Sequence, residues 1–113
     1  MRVERKDNKI HFEYFNRAHA IISFHKEDDI ISIDVLRVEP AFRRIGIASI
    51  LIEEVLNYIN SFFSKIEKIV LDPLPLDENG AKLTHLINFY KKYGFALSQD
   101  DDESKPYLMT KYL

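Results

Sequence analysis

From Val38 to Ala48 the chain reads Val-Glu-Pro-Ala-Phe-Arg-Arg-Ile-Gly-Ile-Ala, with small residues at Gly46 and Ala48 where an apolar helical pattern opens. The first N–H groups of a helix have no partner within it, and the aligned peptide dipoles add partial positive charge. A strand that turns into a helix this way can hold a phosphate on its backbone, and small residues let the anion come close. The run contains neither a Gly-Lys-Ser/Thr nor a Gly-x-Gly-x-x-Gly, which argues against a nucleotide-hydrolysing loop and a dinucleotide-binding one. Asp34 stands in the preceding apolar strand with the parity of Leu36 and Val38. A carboxylate there is costly unless it is functional, salt-bridged or on a wet face. Glu39 and Asp72, at strand ends, are weaker candidates. His11, His19, His25 and His85 have no metal-ligand spacing. The acidic run Asp100 to Glu103 could draw a cationic acceptor, although such runs in turns are usually solvated.

The elements that must position these residues are legible as a change of period. Ile10, Phe12, Tyr14, then Ala18, Ala20, Ile22, Phe24, then Ile31, Ile33, Val35 alternate at period two, and the short polar connectors Asn16-Arg17 and Lys26 to Asp29 predict antiparallel neighbours. Arg2 to Lys6 could add a strand, with Asp7-Asn8 as its turn. After Pro40, Ala48, Leu51, Ile52, Val55, Leu56, Ile59, Phe62 and Phe63 recur at helical spacing. Ile66 to Asp72 reads as a buried strand ended by Pro73, which completes a strand–helix–strand crossover with parallel strands. Leu83, Leu86, Ile87 and Tyr90 mark a second helix stopped by Gly94, and Phe95 to Leu113 supplies a closing strand pair. The fold class is mixed α/β.

The chain has 113 residues, 46% of them hydrophobic and 30% charged, with 3 Gly and 4 Pro, which predicts a single packed domain over 1–113. A net charge of −2 predicts no nucleic-acid partner and no anionic membrane surface, so any anion site must be local. The absence of Cys excludes a thiolate nucleophile and disulfides. No run of signal-peptide or membrane-spanning type is present, and a cytoplasmic location is expected.

Three motifs in order resemble the GNAT N-acetyltransferase superfamily. Val38-x-Pro40 resembles the family's turn, Arg43-x-x-Gly46-x-Ala48 its Arg/Gln-x-x-Gly-x-Gly/Ala signature, and Tyr90-x-x-x-Gly94-Phe95 the end of its last helix. The resemblance covers about Ile30 to Leu113. It implies acetyl-CoA as cofactor, with the pyrophosphate on the amides of Arg44, Ile45, Gly46, Ile47, Ala48 and Ser49. Pantetheine would lie along the edge of Leu36, Arg37 and Val38, as an added strand would. Arg43 and Arg44 could add charge. The resemblance also implies Tyr90 as the acid for the leaving thiolate, and Asp34 as counterpart of a Glu that some members use as general base. Two departures stand out. The helices that usually separate the family's first strands and shape the acceptor pocket have no room here, and the Asn that often lies seven residues before the Tyr is replaced by Leu83, with Asn79 a turn further away.

The implied reaction is transfer of acetyl to a primary amine of a small molecule or peptide by direct attack in a ternary complex, a homodimer being one way to complete the acceptor side. The alternatives are a non-catalytic acyl-CoA-binding or interaction module, and a purely structural domain without cofactor affinity.

Overall fold

The computed structural model describes residues 1–25, 29–39, 46–73, 83–98 and 107–113. Seven strands and two helices follow one another as β1 (Arg2–Lys6), β2 (Lys9–Tyr14), β3 (Ala18–His25), β4 (Ile30–Val38), α1 (Ile47–Phe62), β5 (Lys68–Leu71), α2 (Leu83–Lys91), β6 (Ala96–Leu97) and β7 (Met109–Tyr112). They form one mixed sheet in the order β1-β2-β3-β4-β5-β7-β6. Strands β1 to β4 are an antiparallel meander, β4 and β5 are parallel, and β7 runs antiparallel to both its neighbours. The mixed α/β reading therefore holds, and Arg2–Lys6 is a strand. It is an exposed edge rich in charge, a composition that discourages pairing with other chains.

Period two decides what is buried in the meander. Ile10 and Phe12, Ala18, Ala20 and Ile22, and Ile31 and Ile33 join a single core with Leu51, Ile52, Val55 and Ile59 of α1. Each of these α1 side chains contributes about 2 kcal/mol by leaving water, and together they clamp the crossover helix to the sheet. The β2–β3 connector contains the polar pair Asn16-Arg17 and adds Phe15 before it. Phe15 and Asn16 both have positive φ, 48° and 57°, and Arg17 N–H donates to the Tyr14 carbonyl at 2.9 Å. Positive φ at both central residues of this Tyr14–Arg17 turn suits the twist of the flanking strands, which here overrides the reluctance of Phe to adopt it.

The end of α2 is a Schellman motif. Phe95 N–H donates to the Tyr90 carbonyl at 3.3 Å, and Gly94 N–H to the Lys91 carbonyl at 3.1 Å. The Phe95 and Tyr90 rings meet edge to face with centroids 5.9 Å apart. Gly94 has φ +92°, and a Cβ there would lie 2.5 Å from Lys111 Nζ, which donates to the Tyr93 carbonyl at 2.7 Å. Gly94→Ala should therefore lower stability by about 1–2 kcal/mol, from left-handed backbone strain plus the displaced lysine, in denaturant melts.

Candidate active site

The β4–β5 ladder runs from Ile30↔Lys68 to Ile33↔Leu71 and ends there, while β4 continues to Val38. On its other side β4 stays paired with β3, through Val35↔Ile21, Leu36↔Ala20 and Arg37↔His19. The two parallel strands thus form a fork, and Leu36 and Arg37 lie on its open edge. Between Ile33↔Ile22 and Val35↔Ile21 the register shifts by one, leaving Asp34 as the extra residue of a β-bulge. The bulge reverses the parity of the strand. Ile31 and Ile33 are buried before it and Val38 after it, so Asp34 does not share the face of Leu36 and Val38, as unbroken alternation requires. It is exposed instead.

α1 begins beyond the end of β4. Gly46 is its N-cap, with φ 82°, no side-chain cap is found among the described residues, and the first turn carries no acid. The first bond along it is from Ile50 N–H to the Gly46 carbonyl at 3.1 Å, so the amides of Ile47, Ala48 and Ser49 precede the helical ladder and have no acceptor among the described residues, the state in which helix amides bind anions. A Cβ built on Gly46 meets none of the described residues within 4 Å. Arg43, Arg44 and Ile45, expected in the same site, lie outside the described residues, as do Asn79 and Asp100 to Glu103.

Asp34 is the centre of a polar cluster that the strand pattern alone did not reveal. Its Oδ2 accepts from Ser23 Oγ and, at 3.3 Å, from Lys9 Nζ, and its Oδ1 accepts from Ser32 Oγ at 2.9 Å. Lys9 Nζ also donates to Ser23 Oγ at 3.2 Å, and a ring nitrogen of His25 lies 3.0 Å from Ser32 Oγ. The pairs Lys9↔Ser23 and Ser23↔Ser32 put these side chains in one row across three strands. Partial burial is the largest single influence on the Asp34 carboxyl and pushes it up, yet the hydrogen bonds from Ser23, Ser32 and Lys9, with the lysine charge, together hold it below its ordinary 3.8. The signal for this row was the polar parity of Lys9, Ser23 and Ser32 opposite Ile10, Ile22 and Ile31. Glu39 is engaged elsewhere, with Arg17 Nη1 3.2 Å from its Oε2, and Asp72 is exposed.

Tyr90 is only 6% exposed. Phe89 and Phe95 meet its ring edge to face, and burial pushes its hydroxyl up to about 12, which keeps it protonated. No hydrogen bond to that hydroxyl occurs among the described residues, an uncommon state for a buried polar atom. Asp34 draws its partners from β2, β3 and β4, and Tyr90 from α2 and Phe95, so the two share none. Among the described residues no group of three or more metal-ligating side chains occurs, and no helix is long and apolar enough to cross a membrane.

Residues 8–95 match the Acetyltransferase (GNAT) family. The chain belongs to the GNAT acetyltransferase family. Among solved structures this family member is similar to the anti-CRISPR protein AcrVA5, at 25% identity over 91% of this chain and 97% of that one, with a TM-score of 0.72. A GNAT acetyltransferase from Elizabethkingia anophelis with acetyl-CoA bound aligns at 18% identity, 93% and 75% coverage and a TM-score of 0.65. Naa50 from Arabidopsis thaliana, in complex with the bisubstrate analogue CoA-Ac-MVNAL, aligns at 21%, 93% and 72%, also with a TM-score of 0.65. No curated protein sequence matches.

Two outcomes follow for this GNAT protein. Gly46→Val should weaken acetyl-CoA binding in calorimetry, because the new side chain enters the space before the amides; circular dichroism should show the fold retained at a cost of about 1 kcal/mol from the positive φ. Asp34→Asn should lower the melting temperature at neutral pH, and the gap to wild type should close in acid. Because the folded state holds this carboxyl below 3.8, its contribution is complete above that value and is lost as pH falls through the lower, folded one.

Proposed function

We propose that the protein is an acetyl-CoA-dependent N-acetyltransferase that moves acetyl to a primary amine of a small molecule or peptide by direct attack in a ternary complex. The observation that carries this reading is the fork between β4 and β5 beside a helix N-terminus with no side-chain cap among the described residues, since it offers two fits for one extended molecule. Pantetheine is amide-like and suits the open edge at Leu36 and Arg37, continuing toward Val38. The pyrophosphate suits the amides of Ile47, Ala48 and Ser49, with Gly46 and Ala48 small enough for close approach. In this reading Arg43 and Arg44 add charge, and Arg44, Ile45 and Gly46 add their amides. Bound there, acetyl-CoA supplies an activated acyl group at the fork. The bisubstrate analogue held by the Arabidopsis neighbour joins CoA, acetyl and a peptide, which agrees with an acceptor entering the same fork.

Asp34 sits one residue past the last rung, where the strands part, and takes the proton from the acceptor nitrogen. A carboxylate held low is a weak base toward a free ammonium, but a nitrogen bonding to a carbonyl carbon becomes strongly acidic, and an ionised Asp34 can receive its proton then. Ser23, Ser32 and Lys9 keep the carboxylate ionised and fixed in direction. Tyr90 gives a proton to the departing sulfur. Its hydroxyl is neutral and buried, and a dry environment raises the basicity of a thiolate as it raises that of a phenolate, so the transfer is more nearly balanced than the value in water suggests.

Tyr90→Phe keeps the ring packing against Phe95 and removes only the hydroxyl. Amine-stimulated thiol release should fall about 10- to 1000-fold in kcat with acetyl-CoA affinity retained. Full activity in the Phe variant would reduce Tyr90 to its part in the helix cap, and affinity without turnover in the wild type would mark a binding module.

A further inference from the structure

We propose that Lys9 is itself an acetyl acceptor, and that the protein acetylates its own Lys9 Nζ in cis. This rests on the acetyltransferase reading above. Lys9 opens β2, two strands away from the fork, yet its side chain crosses β3 to reach β4. There Nζ lies 3.3 Å from Asp34 Oδ2 and 3.2 Å from Ser23 Oγ. A primary amine is thus already held against the carboxylate assigned to deprotonate the acceptor, one residue past the last β4–β5 rung at Ile33↔Leu71.

Two features make this more than an ion pair. The Lys9 side chain is 60% exposed, so Nζ is not walled off from a molecule in the fork, and its flexible stem allows it to swing while Asp34 stays fixed by Ser23 and Ser32. Buried Ser23, at 4% exposure, gives the amine a second anchor. Among the described residues, no other lysine contacts Asp34. Lys111, the other one with a defined partner, is bound to the Tyr93 carbonyl.

The step balances without a further reactant. The ammonium of Lys9 first releases one proton to solvent. The neutral nitrogen then forms a bond to the acetyl carbon as the carbon–sulfur bond breaks; its second proton passes to Asp34, and the thiolate takes up a proton to leave as free CoA. The product is N-acetyl-lysine, which has lost its charge and its ion pair with Asp34.

The test is to incubate the purified full chain with acetyl-CoA and no added amine, and to follow each lysine by peptide mass mapping. The expected result is one acetyl group on Lys9 well ahead of the exposed Lys65 and Lys92, with a first-order rate constant unchanged on dilution. The rate should slow at least about tenfold in Asp34→Asn. Should that variant not fold, Ser23→Ala, which removes the second anchor of Nζ, should slow Lys9 modification relative to Lys65 and Lys92. Acetylation of Lys9 no faster than of Lys65 and Lys92, or a rate constant that rises with protein concentration, would overturn the proposal. A parallel assay with a free-N-terminus peptide and a diamine separates the two levels. Turnover of those amines with Lys9 unmodified refutes self-acetylation alone, whereas absence of both acetyl-CoA binding and turnover refutes the acetyltransferase reading with it.

Discussion

One inserted residue organises the functional end of this molecule. Asp34 has no partner in the β3–β4 register, and the bulge it forms turns β4 at the level where its ladder to β5 ends. A strand that bulges also twists and bends. Here the bend coincides with the parting of two parallel strands, and it leaves a backbone edge on β4 that a peptide-like ligand can complete. The same insertion changes which face of β4 is buried, so that Ile31 and Ile33 serve the core below the bulge while Val38 serves it above. Without that change of phase, Leu36 and Val38 would leave the core or Asp34 would enter it.

The cluster around Asp34 shows why a mid-strand acid is tolerated. A carboxylate without partners would resist burial, but three donors from three successive strands surround this one, and their combined effect outweighs desolvation. The arrangement depends on register. Lys9↔Ser23 and Ser23↔Ser32 are opposed across the meander, and a one-residue slip of β2 or β3 would take Lys9 or Ser23 away from the carboxylate.

Much of the fold was legible because periods of two and 3.6 are separated cleanly along the chain: Ile10 to Val35 alternate, Ala48 to Phe63 do not. The Gly94 stop was readable because a left-handed cap has few alternatives. The Tyr90–Gly94–Phe95 pattern carries two messages at once, since its spacing is that of a Schellman motif with its ring contact, and the hydroxyl is the only part not explained by capping. What the pattern could not disclose was the bulge. Strict alternation assigns Asp34 to the face of Leu36 and Val38, and a one-residue insertion leaves no mark in composition. The long reach of Lys9 across a strand was hidden for a related reason, because side-chain span is invisible to periodicity. Phe15 joins Asn16 and Arg17 in the β2–β3 connector, and this was hidden because an aromatic in a left-handed conformation runs against local preference.

The central claim is that acyl-CoA completes the open edge of β4 and the N-terminus of α1 together. Amide hydrogen exchange with and without CoA tests this most directly, because it reads the backbone groups themselves. Exchange should slow at Leu36 and Arg37 and at Ile47, Ala48 and Ser49, with the β1–β2 hairpin unchanged. Slowing confined to other segments, or none at saturating CoA, would contradict it.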